Sequence, residues 1–168
     1  MLGAASRLFL GSLAFSAAGL VGIAVHEGYS TKAYPDPAKG TAVPTIGFGT
    51  TEGVRMGDTT TPVAALQRKL VDIQKYEGAL KRCVHVPLHQ YEYDAYINLS
   101  YNIGSTAFCG STLVKRLNAE NYAGACAAIL DWKYVGGVDC STPGNKVCAG
   151  LWTRRQALYK QCTGQGLS

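Results

Sequence analysis

The chain opens on a long uncharged stretch. Residues 8–25 read LFLGSLAFSAAGLVGIAV, 18 residues without a charge, at the lower limit of what crosses a bilayer as a helix. Arg7 precedes it and no acidic residue precedes Arg7, an arrangement that holds this end in the cytoplasm and sends the rest of the chain outward. Nine of the 18 residues are Gly, Ala or Ser, which gain little from lipid, so the stretch predicts weak anchoring. Three readings follow: a signal peptide cleaved after the small residues around Ala17 and Ala18, a stable anchor, or a weak anchor that leaves the bilayer intact. Pattern alone favours cleavage.

Beyond it, residues 34–54 are rich in Gly, Pro and Thr with short apolar pieces such as Ile46-Gly47-Phe48, which predicts a β-hairpin. Thr61-Pro62 reads as a helix cap followed by proline at the first helical position. Val63, Leu66, Leu70, Ile73 and Leu80 then recur at near-helical spacing to about Arg82. After Pro87 a helix is predicted over 89–102, with Tyr93, Tyr96, Ile97 and Tyr101 near one face and Gly104 as its stop. Ser111 caps a helix through Leu117 and Asn121 another through Trp132. Residues 136–150 read as a loop, 151–162 as a last helix and 163–168 as a polar tail. The expected class is α+β, mainly helical with one small sheet in the N-terminal third. The expected organisation is an N-terminal segment, 1–25, followed by one domain, 26–168.

With 47% hydrophobic and 16% charged residues, the composition is that of an ordered domain with a core. The net charge of +5 suits an anionic partner such as cell wall or lipid, or simply a basic surface. No Lys/Arg run exceeds two residues, which argues against nucleic acid. Cysteines stand at 83, 109, 126, 140, 148 and 162 without a C-x-x-C pair, favouring three disulfides in an oxidising compartment over zinc or redox chemistry. Cys140 and Cys148 can close a short loop around Pro143-Gly144. His85 and His89 have no third ligand in view, so no metal is expected, and no cofactor motif occurs.

Glycoside hydrolysis needs a proton donor and a second polar group that activates water or stabilises positive charge. Glu27 directly follows an apolar helix, a setting that suits a proton donor. Asp36 lies among prolines and glycines, and Thr45 offers a hydroxyl that can hold water. Alone these three residues are generic, and the commoner reading of Glu27 is a surface residue at a helix end. Their wording is not generic. His26-Glu27-Gly28-Tyr29-Ser30, then Ala33-Tyr34-Pro35-Asp36, then Pro44-Thr45-Ile46-Gly47-Phe48-Gly49-Thr50 resemble the active-site signature of phage-type lysozymes, glycoside hydrolase family 24. Tyr101-Asn102-Ile103-Gly104, Ser111-Thr112-Leu113 and Gly150-Leu151-Trp152-Thr153-Arg154-Arg155 resemble later segments of that family, so the likeness spans residues 26–162 almost entirely.

The resemblance implies a lysozyme-like fold and an endolysin that hydrolyses the β-1,4 bond between N-acetylmuramic acid and N-acetylglucosamine in peptidoglycan, with inversion. It implies Glu27 as general acid, Asp36 and Thr45 positioning the attacking water, and Tyr101, Asn102, Thr112 and Arg154 lining the saccharide cleft, with Arg154 or Arg155 paired to Glu27. Trp132 and Trp152 are assigned to the core. Eight residues separate Asp36 from Thr45, more than in the lambdoid pattern, so the loop Pro37–Pro44 is longer here and the placement of Asp36 is the open point. Similar endolysins carry cysteines that imply the pairs Cys83–Cys109 and Cys126–Cys162. Some also carry a Gly/Ala/Ser-rich signal-anchor-release helix before the catalytic Glu. That reverses the preference for cleavage and implies a monomer tethered to the inner membrane, then released into the periplasm of a Gram-negative host. Without a cysteine in the anchor, the disulfides are expected to be staples rather than switches. The rival functions are a lytic transglycosylase, which does not need the Asp36/Thr45 pair, and a non-catalytic, membrane-tethered peptidoglycan-binding protein.

Overall fold

A computed structural model describes residues 6–36 and 40–165. The chain divides into two compact units. One is Ser16–Lys75, and the other joins the residues up to Phe15 to those from Tyr76 onward.

In the unit Ser16–Lys75, helix α1 (Ala17–Glu27) begins where Ser16 Oγ accepts from the Gly19 amide at 3.0 Å, the usual use of a serine cap. It ends at Gly28, whose φ of +70° turns the chain at once. Gly19 and Ile23 are its buried residues, while Val21 and Val25 remain 59% and 75% exposed. Strands β1 (Ser30–Asp36) and β2 (Gly40–Gly47) form the expected antiparallel hairpin. Helix α2 (Pro62–Cys83) starts with Thr61 Oγ1 accepting from the Ala64 amide at 3.3 Å and continues into the other unit.

Its apolar face differs from the one the sequence predicts. Ile73 and Leu80 are buried as expected, but Val63 and Leu70 are 67% and 42% exposed, and Ala65 and Lys69 are buried instead. The reason is the hairpin: Gly47 packs so closely on Ala65 that a Cβ there would lie 2.8 Å from the alanine Cβ. That contact turns Ala65, and Lys69 one helical turn on, inward.

The second unit is organised around α3 (Gln90–Ile103), which is buried without interruption from Glu92 to Ser100. Tyr93, Tyr96, Ile97 and Leu99 have no exposed surface, and such burial contributes about 1.5–3 kcal/mol for each large side chain. Around it lie α4 (Ser105–Cys109), α5 (Thr112–Asn118), α6 (Tyr122–Ala127) and α7 (Ala149–Cys162). Ser111 and Asn121 cap α5 and α6 as expected, accepting from Val114 and Gly124 amides at 3.2 and 2.8 Å. The helix expected to reach Trp132 instead tightens into a 3₁₀ turn over Ala128–Asp131, and α4 lies where the sequence pattern predicts no helix. A second hairpin, β3 (Tyr134–Val135) and β4 (Val138–Asp139), begins two residues before the expected loop over 136–150 and takes up its first residues. Gly136 and Gly137 both have positive φ, +54° and +82°, as a two-residue hairpin turn requires. Disulfides join Cys83–Cys109, Cys126–Cys162 and Cys140–Cys148.

The uncharged stretch is not one helix. Its first half belongs to this second unit. Leu8 exchanges two backbone bonds of 2.8 Å with Leu88, a 3₁₀ turn spans Leu10–Ser12, and Leu10 and Leu13 are buried. The Phe15 amide donates to Glu77 Oε1, and Lys81 and Gln90 donate to the carbonyls of Leu13 and Ala14, all at 2.8 Å. Arg7 donates twice to Glu92, at 3.0 and 2.7 Å, and lies 3.6 Å from the centre of the Tyr122 ring. Among the described residues no helix is long and apolar enough to cross a membrane.

Glu92 also accepts from the His89 amide and is 2% exposed. Removing its arginine leaves a buried carboxylate short of partners, so Arg7→Ala is expected to cost about 1–3 kcal/mol. Chemical denaturation checks this, and adding Glu92→Gln should recover part of the loss.

Candidate active site

Glu27 is the last residue of α1, immediately before the Gly28 turn. Across from it the chain makes a tight reversal. The Ile46 amide donates to the Thr50 carbonyl at 2.9 Å and the Thr50 amide returns to Ile46 at 3.0 Å. Gly47 and Gly49 hold positive φ of +64° and +76° within this turn, which a side chain would resist. A Cβ on Gly49 would lie 2.8 Å from Glu27 Oε2, so the carboxyl group rests on bare backbone. The Phe48 and Tyr29 rings lie 5.0 Å apart.

Behind the turn, Thr50 Oγ1 donates to Asp72 Oδ2 at 2.7 Å. Lys69, one turn earlier on α2, is fully buried. Burial pushes its pKa down, and the charges of Asp72 and Glu27 pull it back up. The site residue Glu27 thus shares its surroundings with a buried lysine, an aspartate and a threonine. Apolar periodicity carries no signal for a buried lysine, so the sequence pattern does not single out Lys69.

Thr45 is 5% exposed and stands one residue before the reversal, its hydroxyl 3.5 Å from the Val43 carbonyl. Thr45 pairs with Tyr34, Pro44 with Pro35, and Asp36 with Gly40. Residues 41–43 therefore form a bulge between two consecutive pairs. Part of the lengthened spacing is absorbed in that bulge, and Asp36 stays two residues from the strand position opposite Thr45. The rest of the longer loop, residues 37–39, lies outside the described residues.

Gly49→Ala tests the seat of Glu27. The added methyl meets the carboxyl oxygen and strains a left-handed residue, so with Glu27 in the role the resemblance implies, turnover is expected to fall about ten- to a hundredfold, in line with a small misplacement of a reacting group. Initial rates on purified peptidoglycan, with thermal unfolding as the control for folding, measure it.

The remaining candidates belong to the other unit. The Tyr101 ring meets Tyr76 edge-on at 5.2 Å. Asn102 is exposed at the end of α3, and Thr112 is exposed at the start of α5. Thr112 lines a cavity of about 390 Å³ with Ser111, Asp131 and Trp132. Trp132 is half-buried at this cavity rather than sealed in the core. Arg154 and Arg155 are both buried. Arg154 donates to Asn98 Oδ1 at 2.8 Å, and Arg155 donates to the Trp132 carbonyl at 2.8 Å and to Asn102 Oδ1.

The description "Phage lysozyme" covers the family model that matches residues 24–158. The SAR-endolysin of Pseudomonas phage phiKMV is 39% identical over 147 residues, covering 87% of this chain and 86% of that protein. The endolysin of Salmonella phage P22 is 39% identical over 126 residues, covering 72% and 84%. Among solved structures, an endolysin from an Escherichia coli O157:H7 phage superimposes with a TM-score of 0.76 at 35% identity, over 90% of this chain and 94% of that one.

Proposed function

The chain belongs to the phage lysozyme family, and from that premise we propose how it works as an endolysin. It is a muramidase that hydrolyses peptidoglycan and so lyses the host. Glu27 donates the proton to the glycosidic oxygen as the bond breaks. Asp36 and Thr45 hold the water that attacks from the opposite face of the sugar, which inverts the anomeric carbon. Tyr101, Asn102, Thr112 and Arg154 contact the glycan. The observation that carries this reading is the seat of Glu27: a carboxyl group at a helix end, resting on Gly49 in the turn that Thr45 enters. Mass spectrometry of fragments released from purified peptidoglycan tests it. Reducing-end muramic acid is the expected product. Anhydro-muramic ends would mean a transglycosylase, and intact glycan would mean a binding protein.

The enzyme acts as a monomer, held first at the inner membrane by residues 8–25 and then released whole into the periplasm. Support comes from the double use of that stretch. Leu10, Leu13 and Ile23 are buried in the fold, and the backbone around Leu8 and Phe15 is bonded to Leu88 and Glu77. The same residues cannot lie in lipid and make these bonds, so leaving the bilayer is coupled to completing the enzyme. The intact mass of the active, soluble protein decides it: a species beginning near Ala18 would overturn release in favour of cleavage.

A further inference from the structure

Arg155 is a buried charge that the mechanism above does not use. It is 2% exposed, and its Nη1 has no hydrogen-bond partner. Burial, and then the neighbouring Arg154, push its pKa down to about 10, which still leaves it charged at neutral pH. Such a group is expensive to keep in an interior. Its two bonds run outward. Nε donates to the carbonyl of Trp132, which lines the cavity beside Thr112, and Nη2 donates to Oδ1 of the exposed Asn102.

An amide side chain can present either its carbonyl oxygen or its NH₂ group, and rotating it by half a turn exchanges them. A guanidinium has donors only. The end of Asn102 that meets Arg155 must therefore be the oxygen, and the NH₂ group is left for the surface. We propose that Arg155 is a positioning residue that fixes the polarity of Asn102, so that Asn102 meets the glycan as a hydrogen-bond donor and selects an acceptor, the carbonyl oxygen of an acetamido group. An unacetylated amino sugar offers an ammonium at that place, which only donates and meets donors. The inference rests on the reading of Asn102 as a glycan contact.

The test compares wild type with Asn102→Asp, Asn102→Ala and Arg155→Met on peptidoglycan before and after chemical de-N-acetylation. Asn102→Asp keeps an oxygen for Arg155 and removes the donor. Its melting temperature should hold or rise through the new ion pair. KM on the acetylated glycan should rise about tenfold, roughly the value of one hydrogen bond, with kcat little changed. Its preference for acetylated over de-N-acetylated glycan should fall below that of wild type and of Asn102→Ala, because a carboxylate accepts from an ammonium. Arg155→Met frees the amide to rotate and should weaken the same preference. If Asn102→Ala leaves KM and the preference unchanged, Asn102 does not touch the glycan and the underlying reading fails. If Asn102→Ala raises KM while Asn102→Asp matches wild type on both glycans, the contact is real but its polarity is not used, and the proposal is overturned. The Asn102 variants decide the matter even if Arg155→Met does not fold.

Discussion

Glu27→Gln is expected to lower glycan cleavage by about a thousandfold, the size of effect associated with a general acid, while leaving the unfolding transition in place. The two side chains have the same shape, so the contact with Gly49 and the helix end at Gly28 are preserved. On the proposed mechanism, what is lost is the proton. An amide cannot deliver one to the leaving oxygen, and the fragmentation of the sugar–oxygen bond then rests on water and on the remaining polar groups of the cleft. The measurement is the initial rate of soluble muropeptide release from purified peptidoglycan, set beside a thermal melt of the same preparation. Activity within tenfold of wild type would remove Glu27 from the chemistry. A large loss accompanied by a collapsed melting temperature would point to a structural role instead. Comparison with Gly49→Ala separates the two contributions: the glutamine variant removes the acid from a correct position, and the alanine variant keeps the acid and moves it.

The second large effect concerns the frame that holds Arg154 and Arg155. Replacing Cys126 and Cys162 together by serine is expected to destabilise the protein by about 4 kcal/mol, from the closure entropy of a loop of this length. The pair is separated by 36 residues and joins α6 to α7. Both cysteines are 2% exposed, and the Tyr96 hydroxyl of α3 lies 3.2 Å from the Cys162 sulfur. Serine hydroxyls at these places would bring two polar groups into that core, adding to the loss. For a chain of this size the melting temperature should fall by about 8–16 °C. The Cys140–Cys148 link spans only 8 residues, and the same entropy argument gives its removal about 2.5 kcal/mol. Denaturation of the two serine pairs under oxidising conditions checks the ranking. Equal losses would show that loop closure does not govern the difference.

Much of the fold was legible because the signals are local. Pro62 after Thr61, the Ser111 and Asn121 caps and the glycine stops act within a few residues of themselves, and the helices they open start where expected, although the one after Asn121 ends short of Trp132. The second hairpin also has a local signal: Val135-Gly136-Gly137-Val138 is a two-residue turn between apolar residues, beside a cysteine- and proline-bearing stretch that reads as loop. The residues Glu27, Asp36 and Thr45 stood out by their wording, but their relation did not. A count of residues between Asp36 and Thr45 suggested displacement, whereas the pairing of Pro35 with Pro44 absorbs part of the difference in a bulge. Register depends on which backbone groups pair, and counting does not reveal that.

By itself, then, the sequence determined the class of the fold, the starts of most of its helices and the hairpin that carries Thr45. These follow from periodicity, caps and local motifs, each of which operates within a few turns of chain. The tertiary structure alone decided the inward turn of Lys69, the seat of Glu27 on Gly49, the direction of the Asn102 amide and the destination of residues 8–15. Each of these is settled by a partner distant along the chain: Gly47 of the hairpin against Ala65, Gly49 opposite Glu27, Arg155 on α7, Leu88 and Glu92 near the start of α3. An uncharged stretch can satisfy its backbone in lipid or against Leu88 with equal local propriety, and only the presence of the folded partner distinguishes the two.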